Sequence, residues 1–119
     1  MQPERRRAPR TAERVAMAIM EDSVEVQTST HNLSASGVYC TLNRFIEPMT
    51  KLQLRFEVPD GSQAVNVSCA GVVVRVEPAT PNASGPYRVA IFFTDLAERH
   101  RALIGRFVHQ RLPVKSSGS

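Results

Sequence analysis

The segment Lys51-Leu52-Gln53-Leu54-Arg55-Phe56-Glu57-Val58 alternates polar and apolar residues without a single exception. Successive side chains of a strand point to opposite faces, so Leu52, Leu54, Phe56 and Val58 share one face and the charges take the other. Pro59-Asp60-Gly61-Ser62 is a turn signature, and behind it Val65, Val67 and Cys69 form the apolar face of a second run. Beyond Ala70-Gly71 the pattern suits Val72, Val74 and Val76, one step out of phase. A bulge at Ala70-Gly71 accounts for the slip, and bulges supply the bending that closes a barrel.

The same period recurs along the chain. Val15, Met17 and Ile19 alternate with smaller residues, and Val24, Val26 and Thr28 with polar ones, which predicts two strands joined at Glu21-Asp22-Ser23. His31 to Gly37 reads as a turn, Val38 to Leu42 as a strand, the stretch around Glu47-Pro48-Met49 as a connection, and Pro78 to Pro86 as a loop. Tyr87, Val89, Ile91 and Phe93 give the inward face of a last strand. Only then does the period become helical, with Leu96, His100, Leu103, Ile104, Phe107, Val108 and Arg111 at 3.6-residue spacing, Asp95 as N-cap and Pro113 past the end. The expected fold is all-β dominated: a six-stranded antiparallel β-barrel with a C-terminal α-helix over residues 15–112, a flexible arm over 1–14 and a disordered tail over 113–119.

Composition narrows the function classes. A chain of 119 residues fits one domain with a core of its own, and 42% hydrophobic against 22% charged residues is the balance of an ordinary globular protein. The apolar run Val15 to Met20 is too short for a signal-peptide core or a membrane span, so a cytoplasmic protein without membrane insertion is expected. Cys40 and Cys69 are a distant pair with no CxxC and no histidine at ligand spacing, and are read as reduced, space-filling residues. His100 and His109 fall on opposed helix faces, about 180° apart, so no shared metal is expected. Without a nucleophile–base set or a carboxylate pair, an enzyme is not expected.

The charge is local. Five of the fifteen Lys/Arg residues lie within the first fourteen positions, and against Glu4 and Glu13 they give +3 of the net +4. All five are arginines, whose planar fork matches phosphate oxygens or the acceptor edge of guanine bidentately. Pro9 biases Ala8 towards an extended conformation, so the arm should enter the domain as extended chain.

Two motifs carry a resemblance. Arg6-Arg7-Ala8-Pro9-Arg10 fits RxxxR, and Asn32-Leu33-Ser34-Ala35-Ser36-Gly37 fits D/N-x-S-x-x-G at the start of a barrel strand. In this order and context the chain resembles the PilZ domain family over nearly its whole length. The resemblance implies a receptor for cyclic di-GMP, bound outside the barrel as a ligand with no cofactor or metal. It implies that Arg6 and Arg10 share the phosphates and a guanine edge, that Asn32 and Ser34 hold another polar edge, and that Gly37 lets backbone and ligand approach closely. Arg5 and Arg7 flank the motif as further ligand contacts or as solvated charge. His31 is expected to be a bystander, while Arg75 and Arg88 line the ligand surface or simply solvate the barrel. The arm would close over the dinucleotide and alter a surface read by a downstream protein partner. The alternatives are an adaptor with a degenerate nucleotide site and a barrel for single-stranded nucleic acid. The latter usually offers stacking aromatics outside the core, and Phe45 is the clear candidate here.

Overall fold

The computed structural model describes residues 10–81 and 85–111. Arg5, Arg6 and Arg7, and the expected tail from 113 onwards, lie outside them. Among the described residues seven strands and one helix follow in order: β1 (Arg10–Thr11), β2 (Ala16–Glu21), β3 (Val24–Ser34), β4 (Gly37–Leu42), β5 (Lys51–Asp60), β6 (Gln63–Pro78), β7 (Tyr87–Phe93) and α1 (Glu98–Gln110). All neighbours are antiparallel. The order β3-β2-β5-β6-β7-β4 closes on itself through β3–β4 pairing, giving the six-stranded barrel that the alternation predicts. Strand β1 is a short addition, pairing Arg10 with Ser34 and Thr11 with Leu33.

Closure follows from two-sided strands whose inner faces must all meet. Leu52, Leu54, Phe56 and Val58 are buried while every intervening residue of β5 is exposed. Met17 and Ile19 from β2, Val38 and Cys40 from β4, Val67, Cys69 and Val73 from β6, and Val89, Ile91 and Phe93 from β7 complete the interior. Phe56 and Phe93 stack with ring centroids 6.0 Å apart. Helix α1 lies across β3 and β5 and buries Leu103, Ile104, Phe107 and Val108, each worth about 1.5–3 kcal/mol of burial. At the two tight hairpins, Asp22 (φ 55°) and Gly61 (φ 66°) take the left-handed conformation the turns need.

Four expectations shift. The phase slip in β6 is real but falls later: Gly71 and Val73 keep the inward face, and the irregularity lies between Val73 and Arg75. Val74 therefore points outward, 51% exposed, and Val76 turns back in. Gly71 is a matter of space, since a Cβ there would lie 2.7 Å from the Ile91 side chain and 3.1 Å from that of Leu54.

Asp95 does not cap α1. The N-cap position is Ala97, without a side-chain bond, and Asp95 Oδ1 instead accepts from the Ala70 amide at 2.5 Å, tying the β7–α1 connection to β6.

The polar stretch read as a turn over His31 to Gly37 is mostly strand. Strand β3 runs through Ser34, leaving Ala35-Ser36 as the turn, because Thr30, Leu33 and Ser34 all find buried places. Likewise β5 runs through Pro59 and Asp60. Pro59 is tolerated because β2 pairs with β5 only as far as Phe56, so no ladder bond on that side needs its missing N–H.

Candidate ligand-binding site

Four strands line up a single outward-facing row. Asn32 of β3 is opposite Tyr39 of β4, Tyr39 is opposite Ala90 of β7, and Ala90 is opposite Arg75 of β6. At ordinary strand spacing the row spans about 14 Å. Both outer members owe their direction to a bulge. On β3 the register shifts between Thr30 and Asn32, so Thr30 is buried while His31 and Asn32 both turn outward. On β6 the shift between Val73 and Arg75 turns Val74 and Arg75 outward together. A regular strand could not place two neighbouring side chains on the wet face.

Arg10 reaches the row from β1. Its Nη1 donates to Asn32 Oδ1 at 3.0 Å, and its guanidinium lies 5.3 Å from the centroid of the Tyr39 ring. Such a cation on a half-exposed ring contributes about 0.5–1 kcal/mol and, more to the point, fixes which way the fork faces. The Asn32 oxygen keeps a second lone pair for another donor. Ala90 is only 7% exposed although its strand position faces outward, so it forms the floor of the row. Arg88, on the same face of β7, completes two adjoining depressions, one lined with Tyr39, Arg75, Glu77 and Ala90, the other with His31, Asn32 and Tyr39.

The other motif residues work from inside. Ser34 is fully buried, and its hydroxyl pairs with Ser36 Oγ at 2.9 Å and accepts from the amides of Ser36 (3.1 Å) and Gly37 (3.3 Å). One side chain thus satisfies two backbone donors of the turn. Gly37 packs so closely on β7 that a Cβ would run into the Ile91 carbonyl oxygen, so the close approach it permits in this structure is to β7. The pair sets the β3–β4 corner that carries Asn32 and Tyr39.

Sequence reasoning missed Tyr39, which was read only as part of a strand. Its signal was available: strand parity puts it outward between inward Val38 and Cys40. Exposed aromatics are also more widespread than Phe45, which is 49% exposed but meets Tyr87 edge-on at 5.6 Å. Phe92 is 52% exposed and Tyr39 39%. His31 is engaged locally: its Nδ1 accepts from Arg14 at 3.4 Å, leaving Nε2 to donate to Thr41 Oγ1 at 2.6 Å.

Electrostatically the site offers cations without reactive thiols. Burial pushes the Cys40 thiol up to about 12, and burial with the Asp95 charge pushes Cys69 up to about 11, so neither is a nucleophile near neutral pH. Among the described residues no group of His, Cys, Asp and Glu could hold a metal ion, and no helix is long and apolar enough to cross a membrane.

A family model described as PilZ domain matches residues 4–110. Solved structures share the fold, two of which illustrate it. The Bacillus subtilis inhibitor of motility (MotI/DgrA) superposes with a TM-score of 0.81 at 20% identity, covering 93% of this chain and 52% of that one. The PilZ domain of CeSA from a cellulose-synthesizing bacterium gives 0.58 at 17% identity, covering 85% and 95%. The chain thus spans about half the length of the Bacillus protein. No curated protein matches it.

Proposed function

Because the chain belongs to the PilZ family, whose domains bind cyclic di-GMP and are generally not enzymes, we propose that it is a receptor for that dinucleotide, gripped on the outer row of the barrel. The observation that carries the reading is the 3.0 Å bond between Arg10 and Asn32, one residue from each motif and 22 positions apart in sequence. A guanine carries both acceptors, N7 and O6, and N–H donors on its other edge. Arg10 supplies the fork for the first and Asn32 Oδ1 an acceptor for the second. The row gives the rest of the ligand a bed: Tyr39 is a stacking surface, and Arg88 and Arg75 are cations for a phosphate or the second guanine.

Arg6, four residues before Arg10, is proposed as the second phosphate ligand, with Arg5 and Arg7 as further contacts. An arginine-dense arm repels itself until anions neutralise it, so binding orders the arm over the dinucleotide and changes the surface offered to a downstream protein. Ser34 and Gly37 serve by holding the corner in shape. Asn32 accepts a hydrogen bond without the charge that an aspartate would bring.

The test is calorimetric titration with cyclic di-GMP and, separately, with a single-stranded oligonucleotide, on the wild type and on Arg6→Ala and Arg10→Ala. Saturable dinucleotide binding that weakens about tenfold to a hundredfold in either variant is the expected result. Oligonucleotide binding that falls steeply with salt and is spread over all the arginines would replace this reading with the nucleic-acid one. Binding of neither would leave the adaptor.

A further inference from the structure

Between β1 and β2 the chain runs without ladder partners from Ala12 to Val15, yet its polar groups are met by side chains. The Glu13 amide donates to Thr11 Oγ1 at 3.1 Å, and the Val15 amide to the buried Thr30 Oγ1 at 3.0 Å. The Thr30 amide donates back to the Val15 carbonyl at 2.9 Å. This strap leads directly to Arg10, and one more contact holds it from the far end of the sequence. Arg111, at the C-cap of α1, donates from Nε to Glu13 Oε1 at 2.7 Å while its guanidinium lies 4.1 Å over the ring of the core residue Phe107.

The same helix holds the other half of the site. Arg101 Nη1 donates to the Ala35 carbonyl at 2.9 Å, in the turn that Ser34 organises. The two arginines stand ten residues apart, about 15 Å along the axis. One grips the corner that carries Asn32, the other the strap that carries Arg10.

We infer that α1 is the back-plate of the ligand site, and that Arg111, acting through Glu13, is a positioning residue that keeps Arg10 beside Asn32. This rests on the proposed ligand reading but is separable from it. Arg111 is suited to the task. Its ring contact sits on a side chain that is 1% exposed, and it is the half-buried member of the pair, with 29% side-chain exposure against 47% for Glu13. By thermodynamic reciprocity, a ligand that tightens the strap must tighten the last turn of α1, and a partner that draws Arg111 away from Glu13 must weaken ligand binding by the same factor.

The test uses the full chain with Glu13→Gln, Arg111→Gln, the double variant, and the charge exchange Glu13→Arg with Arg111→Glu. Arg106→Ala serves as a control, since Arg106 pairs with Asp60 on the open face of α1. Two measurements are read: affinity for cyclic di-GMP, and hydrogen exchange of the Thr11, Val15 and Leu33 amides without ligand. Each single variant should weaken binding about twofold to fivefold, the double no more than either, and the exchange should recover part of the loss. Exchange at the strap amides should quicken by a similar factor, with Arg106→Ala unchanged in both. Additive losses, or strap amides indifferent to Arg111, would overturn the inference. If the wild type fails to bind cyclic di-GMP, the ligand reading falls, and the exchange data alone still decide whether the helix holds the strap.

Discussion

From Lys51 to Val72 the two strands of the β5–β6 hairpin face each other in unbroken register, residue for residue across ten pairs from Lys51↔Val72 to Asp60↔Gln63. Along the wall from β3 through β4 and β7 to the far half of β6, the row from Asn32 to Arg75 is bounded by two bulges, floored by a small buried residue that faces outward, and crossed by an arginine resting on a tyrosine. The regular hairpin sends apolar groups inward, leaves charges in water, and needs no further account than the core. The irregular corner costs ladder bonds and places polar and aromatic groups side by side on the surface. Where burial explains every residue there is little left for a ligand to use; departures from alternation are where side chains have been re-aimed for another purpose.

This contrast can be broken by mutation, beginning on the regular side. Phe56→Ala removes a ring that is 3% exposed and stacked on Phe93, and should cost about 3–5 kcal/mol in chemical denaturation. In whatever fraction remains folded, affinity for cyclic di-GMP should be unchanged. Gly37→Ala tests the scaffold of the corner: forcing a methyl against the Ile91 carbonyl should cost about 1–3 kcal/mol of stability and loosen the row with it. Arg10→Ala should do the reverse of Phe56→Ala, weakening the ligand about tenfold to a hundredfold while lowering stability by only about 1 kcal/mol, the loss of its Tyr39 and Asn32 contacts. Asn32→Asp should sharpen the corner, tightening binding about threefold to tenfold, because a charged acceptor roughly doubles the strength of bonds from Arg10 and from guanine N–H groups.

The last effect concerns pH and emerges only above about pH 9. Both thiols are held protonated by burial, Cys40 at about 12 and Cys69 at about 11 against an ordinary 9.0, so the folded state binds protons that the unfolded state releases above that value. Their contribution is therefore fully present below about pH 9 and is lost as pH rises towards 11 and 12. Denaturation midpoints should decline across that window, and less so in a Cys40→Ala variant. Alkylation of the native protein at pH 8 should be slow.

What was legible in the sequence divides along the same line. The perfect alternation of Lys51 to Val58 gave its strand and its two faces, and the 3.6-residue spacing after Leu96 gave the helix, because both signals come from a simple period meeting one core. The slip in β6 was visible as a phase change, but its place was not. Gly71 drew attention as the place of a bulge, whereas its reason is the crowding of Ile91 and Leu54, a contact across strands that no local pattern carries. Asp95 has the chemistry of an N-cap and sits near a helix start, yet a cross-strand amide takes its carboxylate. The motif residues were found by spacing, but the division of labour among them depends on burial: Asn32 reaches the surface after a bulge while Ser34, two residues on, is sealed inside. Glu13 and Arg111 are 98 positions apart and could be joined only once the barrel was closed.

The most direct check of the proposed ligand site is amide chemical-shift mapping of the full chain during titration with cyclic di-GMP. Shifts should concentrate at Arg10, Asn32, Tyr39, Arg75, Arg88 and Ala90, with the amides of Leu52 to Val58 and Val65 to Cys69 silent. A saturating titration whose largest shifts fall on the β5–β6 hairpin, or a titration that moves nothing along the Asn32–Arg75 row, would contradict it.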